Sequence, residues 1–196
     1  MPVTRQVLFV QGGGEGVHDD WDAALVASLK SELGPGYEIR YPRMPHEGDP
    51  GYASWKVALD KEFAALDDGA ILVGHSIGGT LLIHALAERP RKQGFGAIFL
   101  VAAPFVGEGG WKSDGWTPQE ALGDKLPGGV PIHLYHGLDD DTVPPSHAVL
   151  FADAIPQARL CRLPGRDHQL NNDLRELAAV IRSLGAAAVP RREGGA

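Results

Sequence analysis

The sequence predicts an α/β fold, a three-layer α/β/α sandwich around a six-stranded, mostly parallel sheet. Short runs rich in β-branched and aromatic residues alternate along the chain with amphipathic segments, a pattern typical of a parallel sheet covered by helices on both faces. One of these runs, AILVGH at 70–75, is almost entirely apolar, as expected for a strand that is buried on both faces.

The first strand, QVLFVQ at 6–11, is followed by three consecutive glycines. Asp19 or Asp20 is then placed to cap a helix, and a second strand is predicted at 37–42. The apolar residues of this first helix recur every fourth position, which predicts one buried face: Trp21, Leu25, Leu29 and Leu33.

A proline-containing loop separates the second strand from a helix predicted near 54–66. Its apolar residues also share one face: Trp55, Leu59, Phe63 and Leu66. The third strand, 70–75, leads directly into a helix predicted over 77–88.

Three further strands are predicted at 96–102, 131–137 and 158–164. Ser146 is placed to cap a short helix between the last two strands. Apolar residues at helical spacing predict a final helix over 169–184.

The chain is predicted to form a single domain over residues 1–185, followed by a flexible C-terminal tail at 186–196. A glycine-rich insertion at about 103–130 stands where a helix is expected between two strands. It contains Trp111 and Trp116 but is too short for a large cap, so we expect an open or shallow site.

The composition excludes several classes of protein. With 196 residues, 43% hydrophobic and 22% charged, the chain can bury a substantial core, and disordered or fibrous architectures are excluded. A net charge of −7 argues against binding to nucleic acid or to an anionic membrane surface. The single cysteine, Cys161, indicates a reducing compartment, and no apolar run approaches the ~18 residues of a membrane span, so we expect a cytoplasmic protein.

The motif Gly74-His75-Ser76-Ile77-Gly78 matches G-x-S-x-G, the pattern of a nucleophile elbow. In such an elbow, the serine lies on a sharp strand-to-helix turn with its hydroxyl exposed at the edge of the sheet. The motif alone is weak in a glycine-rich chain, but here it follows a buried strand and opens a helix. We therefore interpret Ser76 as a nucleophile, against the alternative of a turn that only packs the helix on the strand.

A nucleophilic serine needs a base, and the base needs a third group to orient it. In this kind of fold the acid and then the histidine follow the serine along the chain. Three acids, Asp139, Asp140 and Asp141, follow the fifth strand at the edge of the sheet where the elbow lies, and His168 follows the last strand. Asp139 remains an alternative to Asp140 as the acid.

An acyl-transfer site also needs donors for the oxyanion. The backbone N–H of Ile77 is one candidate, and Gly13, with Gly14 as the alternative, is the other. His18, Trp111 and Trp116 are candidates for the wall of the substrate cleft. No HExxH or paired-cysteine pattern is present, so neither a metal site nor a cofactor is expected.

These residues together resemble the α/β-hydrolase superfamily, and the resemblance covers nearly the whole chain. Within it, the compact chain without a large cap is similar to the serine hydrolases related to retinoblastoma-binding protein 9. The Val143-Pro144 pair after Asp140 is similar to the pattern around the superfamily's acid, which favours Asp140. The resemblance implies the strand order second-first-third-fourth-fifth-sixth. Gln11-Gly12 departs from the His-Gly that many members carry after the first strand.

The resemblance and the motifs predict a serine esterase that cleaves small ester-like substrates through an acyl-enzyme on Ser76, with His168 as base and Asp140 as acid. The same residues are compatible with a thioesterase, a peptidase or an acyltransferase. A non-catalytic binding protein on a hydrolase scaffold is the alternative from another class, because a fold does not fix a function. The sequence does not predict an oligomeric state.

Overall fold

A computed structural model describes residues 4–89, 94–113 and 115–187 of the chain. Its centre is a six-stranded sheet in the order β2-β1-β3-β4-β5-β6, in which every neighbouring pair is parallel. The strands are Arg5–Val10 (β1), Tyr37–Arg40 (β2), Ile71–His75 (β3), Ala97–Val101 (β4), Ile132–Gly137 (β5) and Arg159–Leu163 (β6). The predicted fold class and strand order are confirmed.

Helices connect the strands and cover both faces of the sheet. In the described part of the chain they are Trp21–Leu33 (α1), Tyr52–Ala64 (α2), Ser76–Ala87 (α3), Leu122–Lys125 (α4), Ser146–Ala154 (α5) and Arg175–Ala187 (α6). None of these helices combines the length and the apolar character that crossing a membrane requires.

The sheet separates two apolar cores, because successive side chains along a strand point to opposite faces. In β1, Leu8 and Val10 join the core beneath α2 and α3, whereas Val7 and Phe9 join the core beneath α1 and α6. β3, β4 and β5 are buried along their whole length, as the apolar run at 70–75 predicts. The two cores hold the carboxyl ends of the strands along one edge, where the site lies.

The last helix departs from the prediction. The segment predicted as one helix over 169–184 contains a single turn of 3₁₀ helix, Leu170–Asn172, in which Asn171 has a φ of 56°. α6 begins only at Arg175 and continues to Ala187, two residues into the predicted tail at 186–196, and the rest of that tail lies outside the described residues.

Two predicted helix caps are wrong. Asp20 occupies the cap position of α1, but its backbone is already helical and its side chain makes no capping hydrogen bond. Ser146 is itself the first residue of α5, and Pro145 stands at the cap position. Both helices continue from a preceding turn, so the chain does not enter them in the extended conformation that places a capping oxygen.

The prediction that Trp21 is buried is also wrong. Its side chain is 62% exposed, although its spacing matches the buried face of α1. It is the first residue of the helix, at the open edge of the sheet. Leu25, Leu29 and Leu33 are buried as predicted.

Candidate active site

Ser76 stands on a tight turn between β3 and α3. It directly follows the last residue of β3 and is the first residue of α3, and its φ is 51°, in the left-handed region that side chains rarely adopt. Such a conformation costs on the order of 1–3 kcal/mol and clusters at functional sites. This strained turn brings the serine to the carboxyl edge of the sheet.

The glycines around Ser76 allow the strand and the helix to approach each other. A Cβ on Gly74 would lie 2.5 Å from the Cα of Gly79, and a Cβ on Gly78 would overlap the carbonyl oxygen of Gln11. Both close contacts are with backbone atoms, which cannot rotate away. The G-x-S-x-G spacing is therefore required by the packing around the turn.

His168 connects the serine to a carboxylate. Its Nε2 lies 3.1 Å from the Oγ of Ser76, and its Nδ1 lies 2.8 Å from Oδ2 of Asp140. Because a carboxylate can only accept, Nδ1 carries the hydrogen, and Nε2 is then free to accept the serine proton. The structure thus brings together the three residues that the sequence proposes, each of which lies beyond the end of a different strand at one edge of the sheet.

The Asp140 carboxylate is buried, and both of its oxygens are hydrogen-bonded. Oδ1 accepts the backbone N–H groups of Thr142 and Val143 at 2.9 and 2.8 Å, and Nε2 of His136 lies 3.1 Å from Oδ2. Burial alone would raise the pKa of Asp140, but the hydrogen bonds from His136 and His168 hold it well below its usual range. Asp140 is therefore ionised at neutral pH and holds His168 in one orientation.

The neighbouring acids have different surroundings. Asp139 is exposed, and its backbone N–H donates to the carbonyl of Arg166. Asp141 is also exposed and lies at the wall of the cleft. Of the three acids that the sequence offers, Asp140 is the one whose carboxylate contacts His168.

The loop after β1 lies against the start of α3. A Cβ on Gly13 would lie 2.8 Å from Cγ2 of Ile77, so the two residues are in close contact. Gly12 N–H donates to Asp22, and Gly14 N–H donates to the carbonyl of Glu47. Within the described residues the N–H of Gly13 has no acceptor, and that of Ile77 belongs to the first helical turn, whose N–H groups lack intrahelical partners.

A cleft of about 650 Å³ opens over Ser76. This volume is in the range of small-molecule sites. The described residues that line it are Gly12, Gly13, Gly14, Val17, Trp21, Asp22, Gly48, Pro50, His75, Ser76, Ile77, Trp111, Asp141, Thr142, Asp167, His168 and Gln169.

Two of the three predicted wall residues lie elsewhere. Trp111 lines the cleft and is 41% exposed. Trp116 instead stacks on Tyr52, at 4.6 Å between ring centroids, and packs against the core beneath α2 and α3. His18 stacks on Tyr41 at 4.2 Å, and this contact turns its ring towards the end of β2 rather than towards the cleft.

Sequence reasoning missed three features of the site. His136, which was not among the predicted site residues, contacts Asp140, and Trp21, which was assigned to the buried face of the first helix, lines the cleft. It also missed a buried pair, Asp22 and His75. The position of His75 was the available signal, because a histidine at the end of an apolar strand needs a buried partner.

Among the described residues, no group of three or more His, Cys, Asp or Glu side chains is placed to hold a metal ion. The two buried carboxylates of the site, Asp140 and Asp22, are each in contact with a histidine.

The parallel sheet and the serine elbow are features of the α/β-hydrolase fold, and a serine in contact with a histidine and a carboxylate is the arrangement found in serine hydrolases. A family model described as "Serine hydrolase" matches residues 14–175, which is more than half of the chain. The chain therefore belongs to the serine hydrolase family. The narrower likeness to retinoblastoma-binding protein 9 stays a prediction.

Solved structures share the fold. The ydeN gene product from B. subtilis aligns with a TM-score of 0.68 at 20% identity, over 93% of this chain and 100% of that one. Est1E from Butyrivibrio proteoclasticus gives 0.66 at 17% identity, over 95% and 89% of the two chains. The esterase domain of a Rhodothermus marinus protein gives 0.61 at 21% identity, over 96% and 87%. No curated protein sequence matches the chain significantly.

Proposed function

We propose that this protein is a serine esterase that hydrolyses small carboxylic esters through an acyl-enzyme on Ser76. The observation that carries the proposal is the continuous contact from the Oγ of Ser76 through the ring of His168 to the buried Asp140, at 3.1 and 2.8 Å. Membership of the serine hydrolase family and the fold shared with an esterase domain support it.

In the first half of the reaction, the Oγ of Ser76 attacks the ester carbonyl carbon while Nε2 of His168 takes the hydroxyl proton. Asp140 stabilises the imidazolium that forms, because its carboxylate accepts the hydrogen of Nδ1. When the tetrahedral intermediate collapses, the C–O bond to the leaving alcohol breaks, and His168 returns its proton to that oxygen. The acyl group remains on Ser76.

The oxyanion of the intermediate is held by the backbone N–H groups of Gly13 and Ile77. The N–H of Gly13 has no acceptor in the part of the chain that the structure describes, which supports this choice over Gly14, whose N–H is already bonded to the carbonyl of Glu47. Ile77 adds a donor at the N-terminus of α3, where the helix dipole favours negative charge. Each such donor contributes on the order of 10²–10³-fold to the rate in serine hydrolases.

Water completes the reaction by the same steps in reverse. His168 takes a proton from water, the hydroxide oxygen attacks the acyl carbon, and the ester bond to Ser76 breaks with return of the proton to its Oγ. The products are a carboxylic acid and the regenerated serine.

The walls of the cleft favour uncharged esters. Apolar and aromatic side chains are prominent among them, including Val17, Trp21 and Trp111. Among the described residues that line the cleft there is no lysine or arginine, whereas Asp141 and Asp167 present exposed carboxylates. An anionic acyl group would meet repulsion without a cationic partner.

The test is hydrolysis of p-nitrophenyl esters of graded acyl length by the wild type and by Ser76→Ala. We expect the wild type to turn over short neutral esters, and the variant to lose at least about 10³-fold in kcat, because the nucleophile is absent. Ser183→Ala, which removes an exposed hydroxyl on α6, is the matched control and should keep full activity. Ester hydrolysis that survives in Ser76→Ala would contradict the proposal.

A further inference from the structure

A second histidine–carboxylate pair lies next to the nucleophile. His75 is the last residue of β3, and Asp22 lies in the first turn of α1. Their side chains are 1% and 0% exposed, and Nδ1 of His75 lies 2.9 and 3.0 Å from the two oxygens of Asp22. No step of the proposed reaction uses either side chain.

The contacts of His75 fix its protonation. Nδ1 faces the Asp22 carboxylate, and Nε2 lies 3.2 Å from the backbone carbonyl oxygen of His168. Both neighbours can only accept hydrogen bonds, so both ring nitrogens carry a hydrogen and the ring is a cation. Burial opposes this charge, but the attraction of Asp22 outweighs it and raises the pKa of His75, while the pKa of Asp22 is lowered.

The pair connects the loop that holds His168 with the loop that holds Gly12 and Gly13. On one side, His75 donates to the backbone of His168, the proposed base. On the other side, Oδ2 of Asp22 accepts the N–H of Gly12 at 2.7 Å, and Gly12 directly precedes the oxyanion donor Gly13. β3 ends at His75, and Ser76 follows it directly. One buried ion pair therefore touches the segments of the nucleophile, the base and the oxyanion donor.

We propose that Asp22 and His75 are positioning residues, which hold the backbone of His168 and the Gly12–Gly13 loop at fixed distances from Ser76. This assignment rests on the esterase function proposed above. Neither residue touches the substrate's reacting atoms or exchanges a proton with them. Their effect is on geometry, and a displacement of about 1 Å at a reacting group can cost on the order of 10²-fold in rate.

Breaking the pair separates this role from a role in stability alone. Asp22→Asn keeps an oxygen for Gly12 N–H but removes the charge that balances His75, and His75→Gln keeps one amide donor in place of two ring donors. Leu25→Ala is the matched control, because Leu25 is fully buried in α1 and its truncation destabilises the fold without touching the site.

We expect Asp22→Asn and His75→Gln to lower kcat for a p-nitrophenyl ester by about 10- to 100-fold with KM changed by less than about threefold. Leu25→Ala should lower Tm and keep its kcat at a temperature where it is folded. If the two pair variants keep wild-type kcat, or lose it only in step with Tm as the control does, the positioning role is wrong. Ser76→Ala is assayed alongside, so a failure of the esterase function itself is recognised separately.

A second measurement uses the wild-type protein alone, so it does not depend on whether a variant folds. In wild-type protein with ¹⁵N-labelled histidine, NMR at neutral pH should show both ring nitrogens of His75 protonated and coupled to slowly exchanging hydrogens. A His75 ring with one bare nitrogen would contradict the proposed pair, because one of its two contacts would then lack a donor.

Discussion

The Asp140 carboxylate accepts hydrogen bonds from two backbone N–H groups and from His168, with His136 also in contact. These donors hold the carboxylate in one orientation, so the His168 ring it contacts is held in one orientation as well. They also lower the pKa of Asp140 in spite of its burial. Any stability that the ionised group contributes is therefore present above its unfolded pKa and is lost only in strong acid.

Replacement of Asp140 by asparagine should lower kcat by on the order of 10³–10⁴-fold, because an amide no longer selects the ring tautomer that leaves Nε2 free. Ester hydrolysis measured beside a thermal melt checks this result. Asp139→Asn, at the exposed neighbouring acid, is the control and should retain wild-type kcat. If Asp139→Asn instead loses most of its kcat while Asp140→Asn keeps full activity, Asp139 and not Asp140 is the acid that orients His168.

The chemistry of single residues allowed part of the site to be predicted from the sequence. Ser76, Asp140 and His168 each follow a strand of the same sheet, and parallel strands bring such residues to one edge. The pairing of Asp22 with His75 was harder to predict. The position of His75 indicates only that it needs a buried partner, and which residue supplies that partner depends on how α1 packs against the end of β3. A long-range contact of that kind is not visible in local sequence patterns.

α3 presents the nucleophile at one end and a buried titratable group further along. His84, on this helix, is 2% exposed, and its Nδ1 accepts the N–H of Gln119. Burial, with a smaller effect from the charge of Lys125, lowers the pKa of His84 to about 4. The folded protein thus holds this imidazole neutral at neutral pH.

His84 should make the fold less stable in acid. Between about pH 6.5, the ordinary pKa of histidine, and pH 4, the unfolded chain binds a proton that folded His84 does not, so the free energy of unfolding falls as the pH falls. The full effect is on the order of 3 kcal/mol. Glutamine does not titrate, so His84→Gln lacks this loss. The difference in the free energy of unfolding between the wild type and the variant should therefore become smaller from pH 7 to pH 4.

Urea unfolding at several pH values measures this difference. Ile83→Val, at the neighbouring fully buried position of α3, is the control, and its difference from the wild type should be the same at each pH. If the difference in the free energy of unfolding between the wild type and His84→Gln also stays constant with pH, the folded state does not hold His84 neutral as proposed.

Helical periodicity predicted the buried faces of α1 and α2 well, except at the first turn of α1. Leu25 and Leu29 are buried as their spacing requires, whereas Trp21, one turn earlier, projects beyond the sheet and lines the cleft. The spacing identifies a face of the helix, but it does not show where the sheet beneath that face ends. The same limit explains Trp116, whose stacking on Tyr52 is a contact between distant segments.

For the molecule as a whole, the fold class follows from the alternation of strands and helices, because parallel strands need helical crossovers. The strand order was implied by the resemblance to the α/β-hydrolase superfamily. The cleft was harder to predict. Its walls come from the loop after β1, the segment between β4 and β5 and the loops after β5 and β6, and their relative positions depend on the complete sheet. The edge of the sheet at which Ser76, Asp140 and His168 meet could therefore be predicted from the sequence, whereas the full set of residues that line the cleft could not.

The proposed reaction requires Ser76 to be a nucleophile that is activated by His168 and Asp140. Treatment with a fluorophosphonate, followed by intact-mass and peptide mass spectrometry, tests it most directly. We expect a single covalent adduct on Ser76 in the wild type, and none in Ser76→Ala. An unlabelled wild-type protein, or an adduct on a residue other than Ser76, would contradict the account and favour a binding protein on a hydrolase scaffold.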